Sequence, residues 1–244
     1  VAFGNLFVGA PFHFDPSLRV VYEGNLFGLL NPFSLLCGLV SLALLLMQGA
    51  AWLNVKADGE VAANSRRLGR TAAITLIILI TLAGGWLSFG IDGYLITSQL
   101  DPTGPSNPLL KNVVNAPGGW IINYKLYPWS IAAPILAYLG AILMVIFTLA
   151  GKNRLSLVAS SVSVAAVVLM AGFSLFPFMM PSSTHPYQSL TVWDASSSEM
   201  TLSLMLVATV FFLPIIFAYT AWVYNVLRGV ITETAIQSGN DHYY

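Results

Sequence analysis

Long apolar runs broken by short clusters of charge set the plan of this chain. No charged residue stands between Glu23 and Lys56, Arg70 and Asp92, Lys125 and Lys152, Arg154 and Asp194, or Glu199 and Arg228. A helix rises about 1.5 Å per residue, so about 20 apolar residues cross the roughly 30 Å of hydrocarbon in a bilayer. Each run is long enough, and each predicts one spanning helix: roughly residues 32–53, 71–96, 128–149, 155–178 and 200–227. Residues 1–10 read as the tail of an earlier helix, and a chain that opens on Val1 rather than methionine is expected to be part of a longer protein. The fold class that follows is all-α: a polytopic membrane helix bundle with five full transmembrane helices plus that tail. It forms one transmembrane domain over 1–244, with a short tail at 228–244.

The helix ends carry their own signals. In the stretch AGFSLFPFMMPSSTHPYQSLTVWDASSSEMTLSLML (171–206), Pro177 and Pro181 stop one apolar helix, because proline lacks a backbone N–H and clashes with the preceding turn. A polar loop follows, and Ser196 with Glu199 three residues on reads as a capping box for the last helix. Pro32 and Pro128 stand where a first helical turn tolerates proline. Tyr187 and Trp193 in that loop, and Trp120, Tyr124, Tyr127 and Trp129 around the Pro-, Gly- and Asn-rich stretch 99–127, suit a membrane–water boundary. Ser156, Ser160 and Ser163 share one helical face, where small hydroxyl residues permit close helix contact; Gly84, Gly85 and Gly90 are expected to do the same for the second span.

Charge then orients the bundle. Lys56, Arg66, Arg67, Arg70, Lys152, Arg154 and Arg228 fall on one side, against Arg19, Lys111 and Lys125 on the other. The positive-inside rule makes the first side cytoplasmic, and with it the C-terminus. With 57% hydrophobic and 8% charged residues and a mean hydropathy of +0.76, the chain lies far from the roughly 25% charge of soluble domains. Net charge is +0 and no basic stripe exists, which argues against nucleic acid as a partner. Cys37 is the single cysteine and lies in an apolar run, so no disulfide or cysteine metal site forms within the chain.

Candidate chemistry is sparse. His13, His185 and His242 lie outside the middle of every span, where an axial haem ligand would stand, and Met144 and Met170 read as flexible packing. No span carries Asp, Glu, Lys or Arg near its centre, although such residues mark proton and ion paths. Two acids near span ends remain, with Trp193 and Glu199 beside the second of them. Asp92, between Gly90 and Gly93, reads as a turn residue, and Asp194 as a helix N-terminal acid. For Asp92, Asp194, Trp193 and Glu199 a partner interface or a proton route is the alternative. A membrane transporter or channel fragment is the competing class, though the spans lack the central charges and unwound Gly/Pro pairs of such sites.

Several collinear stretches nevertheless resemble one family: VAFGNLFVGAPF, GNLFGLLNPFSLLCGL, GWLSFGIDGY, GPSNPL with GGWIINY, AGFSLFPFMMPSS, SLTVWDASSSEMTLS and PIIFAYTAWVY. Together they resemble subunit II of the bacterial cytochrome bd quinol oxidase, from Val1 to about Tyr224. The resemblance implies a companion to the haem-bearing subunit I in a heterodimer of the cytoplasmic (inner) membrane that oxidises quinol and reduces dioxygen to water. It implies haem b and haem d on subunit I, none ligated by this chain, with quinone and membrane lipid in contact and a small single-helix accessory subunit as a further partner. It also implies that these five spans are the C-terminal portion of a nine-helix subunit, whose N-terminal motifs are not in this chain.

Overall fold

The computed structural model describes residues 1–98 and 107–226. Its framework is α2 (Pro32–Lys56), α3 (Gly59–Phe89), α5 (Ala132–Leu149), α6 (Asn153–Leu175) and α8 (Glu199–Val226), the five helices long and apolar enough to cross a membrane. Shorter elements lie between them: α1 (Ala2–Val8), α4 (Ile122–Leu126) and α7 (Val192–Ala195), with three two-stranded antiparallel ribbons. The ribbons pair β1 (Phe12–Phe14) with β2 (Val20–Tyr22), β3 (Asp92–Ile96) with β4 (Val113–Pro117), and β5 (Phe178–Met180) with β6 (Leu190–Thr191). All three gather at one end of the bundle as a cap.

Helix starts follow local chemistry. Asn31 caps α2 by accepting a hydrogen bond from Ser34 N–H (2.8 Å), and Pro32 takes the first helical position as expected. Pro128 opens a 3-10 turn, Pro128–Ile131, that leads into α5. The second span differs from its expected limits of 71–96. Only Ala57 and Asp58 separate α2 from α3, so the cluster of Arg66, Arg67 and Arg70 lies on helix, not in a loop. A helix of 31 residues is about 46 Å long, well beyond the hydrocarbon thickness. Charge therefore does not end the helix, since Glu, Ala, Leu and Arg carry it onward. At the other end α3 stops at Phe89, and residues expected to be helical pair instead with β4.

Four helices share one core, and much of it is alanine. Ala43, Ala51, Ala73, Ala137 and Ala141 are buried around Met47, Leu76 and Met144. The serine stripe of α6 behaves as its spacing predicts. Ser163 Oγ donates to Ala137 O (2.8 Å), Ser156 Oγ meets Thr148 Oγ1 (2.7 Å), and Ser160 donates to Gln48. Gly140 permits this approach: a Cβ there would lie 2.8 Å from Ser163 N and Ala159 O. Gly84 and Gly85 have nothing within 4 Å of where a Cβ would be, so they make no close helix contact among the described residues, contrary to expectation. They lie on an exposed face of α3, and spacing alone cannot say which face meets a neighbour. At the end opposite the cap, Asn54 Nδ2 donates to Asn153 Oδ1 (3.0 Å), and Asn153 Nδ2 returns a bond to Asn54 O (3.1 Å). Arg66 reaches Asn54 Oδ1 at 3.3 Å, tying α2, α3 and α6 together. Unlike the others, α8 buries none of its residues within the chain.

Candidate functional site

The sequence-predicted site residues all fall in or beside the cap, which has a core of its own. Trp120 is 1% exposed and donates from Nε1 to Phe7 O (3.1 Å). Phe7 stands edge-on to it at 5.5 Å, Phe178 at 6.1 Å, and Tyr94 lies tilted at 5.5 Å. An indole is buried readily when its N–H finds an acceptor, as here. Trp120 is thus a core residue and not the boundary anchor that its loop composition suggested. Trp129, at 65% exposure, and Tyr127 lie on the surface of the chain. Burial pushes the Tyr94 hydroxyl up to about 12.

Asp194 is the most heavily engaged of the candidates. Its Oδ2 accepts from Thr191 N–H (2.9 Å), Thr191 Oγ1 (2.5 Å) and Lys111 Nζ (2.6 Å). Thr191 and Asp194 make a reciprocal capping box on α7. The box expected at Ser196 and Glu199 does not form. Ser196 ends α7 with its N–H on Val192 O, and Ser198 is the residue that caps α8, its Oγ near Thr201 N (3.5 Å) and Thr201 Oγ1 (3.0 Å). A run of three serines offers three possible caps, and the extra turn at α7 selects the last. Lys111 also donates to Pro108 O (2.9 Å). Burial pushes its ammonium below the usual lysine range, against the hydrogen bond to Asp194. Charge counting treated Lys111 as one of three outer basic residues; no sequence signal pairs it with Asp194 across 83 positions.

The other candidates are placed apart from that pair. Asp92 is exposed at the start of β3, opposite Pro117. Trp193 stacks edge-on to Phe176 at 6.2 Å. Glu199 is exposed in the first turn of α8. Arg228, His242 and the tail at 228–244 lie outside the described residues, as do residues 99–106.

Toward the membrane, an apolar crevice of about 190 Å³ opens between α1, α2, α3 and α6, lined by Phe3, Phe33, Cys37, Leu44, Gly84 and Met170 among others. Its walls suit a hydrocarbon chain. No histidine lies in the described spanning helices. Met144 is buried in the alanine-rich core instead of facing the crevice.

The family profile for "Cytochrome bd terminal oxidase subunit II" matches residues 1–227. The chain belongs to the cytochrome bd terminal oxidase subunit II family. It is 42% identical over 244 residues to the cytochrome bd-I ubiquinol oxidase subunit 2 of Escherichia coli strain K12, covering 100% of this chain. It is 41% identical to a probable cytochrome oxidase subunit 2 of Haemophilus influenzae, and 21% identical over 233 residues to the cytochrome bd ubiquinol oxidase subunit 2 of Bacillus subtilis. The chain spans 64% of the length of the first two relatives and 59% of the third.

Several of the stretches that carry the subunit II resemblance meet in the cap, whereas PIIFAYTAWVY lies in α8. GWLSFGIDGY supplies β3 and GGWIINY supplies Trp120. They touch at Gly93, where a Cβ would lie 2.4 Å from Trp120 N and 2.6 Å from Gly119 C. VAFGNLFVGAPF meets AGFSLFPFMMPSS through Ala10, whose N–H donates to Pro181 O (2.9 Å) and whose carbonyl accepts from Ser183 N–H (3.0 Å). Between them Gly9, at φ 88, makes a turn that a side chain would strain and that would drive a Cβ into the Tyr94 hydroxyl.

Proposed function

We propose that this chain acts as the non-haem companion subunit of a bd-type quinol oxidase in the bacterial inner membrane, packed against a haem-bearing subunit I that it stabilises. The observation that carries this reading is the family match over residues 1–227, taken with spanning helices that hold no histidine among the described residues. The complex oxidises quinol and reduces dioxygen to water, with haem b and haem d on subunit I. This chain supplies packing surface, an apolar crevice suited to a lipid or quinone tail, and a rigid cap. The exposed apolar length of α8 and the bare Gly84–Gly85 face of α3 support a partner surface, with lipid on what the partner leaves uncovered. A small single-helix accessory subunit fits such a surface as well.

The cap faces outward and the Asn54–Asn153 end faces the cytoplasm, as does the C-terminal tail, in keeping with the basic residues on the Lys56, Arg66, Lys152 side. Asp92 and Glu199, both exposed, are candidate acids for a partner or a proton route, and Trp193, next to Asp194 in sequence, is a candidate for the same interface. Asp194 is committed to Lys111 and Thr191.

The test is purification of the full-length subunit from membranes by a tag on this chain. Subunit I with haem b and haem d absorbance should co-purify, and the preparation should consume oxygen on addition of quinol. A well-folded preparation lacking both haem and quinol-dependent oxygen uptake would sink the reading.

A further inference from the structure

Two histidines far apart in sequence face each other on the cap. His13 stands in β1 opposite Val21, and Glu23 follows β2 with its N–H on Pro11 O (2.9 Å). Residues two apart on one strand share a face, so Glu23 projects on the same side of the ribbon as Val21 and its partner His13. His185 comes from the loop after β5. Backbone bonds on either side of His13 fix that loop to the ribbon: Ser182 Oγ and Thr184 Oγ1 donate to Phe12 O (2.5 and 3.0 Å), and Phe14 N–H donates to Gln188 Oε1 (2.6 Å). His185 N–H in turn donates to Ser182 Oγ (3.1 Å). The two imidazoles are thereby held with centroids 5.3 Å apart.

The polar atoms of this group are poorly served by the protein itself. His13 Nδ1 lies 2.9 Å from Glu23 Oε1, yet out of line for a hydrogen bond, and His185 Nδ1 also lacks a partner among the described residues. Both nitrogens are shielded from water. A buried ring nitrogen without a partner is destabilising, so this group is one that a ligand from outside the chain would satisfy. The ligand atoms of His13, Glu23 and His185 all lie within 4.8 Å of one another.

From this geometry we infer that His13, His185 and Glu23 form a binding site for a divalent transition-metal ion, Zn²⁺ being the best match. Two imidazoles and one carboxylate are the donor set of open zinc sites, with water in the fourth position; hard oxygen-seeking ions such as Mg²⁺ or Ca²⁺ do not favour it. Zinc bonds of about 2.0–2.1 Å put tetrahedral ligand atoms roughly 3.4 Å apart, so from separations of at most 4.8 Å the group closes by at most about 1.4 Å. Glu23 and His185 are both partly exposed and can rotate by that amount, while the bonded backbone around Phe12 stays in place. The ion then staples the β1–β2 ribbon to the 182–188 loop, joining the start of the chain to the hairpin ahead of α8. This site is independent of the oxidase reading, since none of its ligands lies in a spanning helix.

The experiment uses the intact protein purified in detergent with any subunit that co-purifies. After chelator treatment and dialysis, Zn²⁺ is titrated by calorimetry, bound metal is counted by mass spectrometry, and X-ray absorption at the zinc edge reports the ligands. Wild type should bind one zinc with two imidazoles in its shell and unfold at a higher temperature when loaded. Glu23→Gln, a conservative change at an exposed residue, should keep the metal-free unfolding temperature and weaken zinc roughly tenfold or more. His185→Ala should abolish the two-imidazole signature. If wild type takes up no zinc, or if Glu23→Gln and His185→Ala bind it as wild type does, the assignment is wrong. Quinol-dependent oxygen uptake is measured alongside, so that failure of this site is distinguishable from failure of the oxidase reading.

Discussion

Lys111 Nζ donates to Asp194 Oδ2 across 2.6 Å, with 2% of the lysine side chain and 9% of the aspartate side chain exposed. The bond ties the segment between the 3-10 turn Pro108–Leu110 and β4 to the capping box of α7. Withdrawing two charges from water costs several kcal/mol per ion, so the pair is tolerable only while both members are present. Thr191 N–H and Pro108 O complete its hydrogen bonding. Its effect is asymmetric: it contributes little net stability as a pair, and a great deal is lost when one partner goes.

The two halves of this pair should therefore respond differently to mutation. Asp194→Asn strands a buried ammonium and weakens the α7 cap, and is expected to cost about 3–5 kcal/mol. Lys111→Met leaves Asp194 with its two Thr191 donors and should cost less. The double variant should cost less than the sum, because no unpaired lysine remains. Unfolding temperatures of the four proteins in one detergent provide the measurement; strict additivity would contradict the coupling.

Gly93→Ala should disrupt the cap, because the added methyl meets backbone at Trp120 and Gly119 and not a movable side chain. A loss of about 1–3 kcal/mol is expected, with faster proteolysis between β3 and β4. Gly172→Ala is the control: nothing lies within 4 Å of its Cβ position in α6.

Within the bundle, Gly140→Ala should force α5 away from α6 and break the Ser163 bond to Ala137 O. Gly49→Ala meets nothing within 4 Å and should be neutral or slightly stabilising. Ser163→Ala alone should cost about 1 kcal/mol, the net worth of one hydrogen bond. Thermal unfolding that ranks Gly140→Ala at or below Gly49→Ala would refute the close-packed arrangement.

The cap should also be sensitive to alkali. Tyr94 holds its proton up to about 12, whereas the unfolded phenol ionises near 10. The folded state thus binds more protons between those values. Stability is fully present below pH 10 and falls by about 3 kcal/mol as pH rises through 12. Difference titration of tyrosinate absorbance, wild type against Tyr94→Phe, should show one late step that the variant lacks.

The sequence by itself determined the five long apolar helices and the packing face of α6. Those follow from local physics: charge-free length sets a span, proline sets an end, and hydroxyls at helical spacing set a close contact. Ser163 on Ala137 and Pro32 at the start of α2 are such cases. The family too was legible, because its motifs are collinear strings. The second span starts earlier and stops earlier than 71–96, because helix propensity and strand pairing, not charge, decide where a helix begins and stops. The same limit applied to the cap. Trp120 looked like a boundary residue until Phe7, Tyr94 and Phe178 closed around it. Only tertiary structure could choose Lys111 as the partner of Asp194, or bring His13 within reach of His185. Such contacts depend on how ribbons from opposite ends of the chain fold onto one another, and no local spacing encodes that.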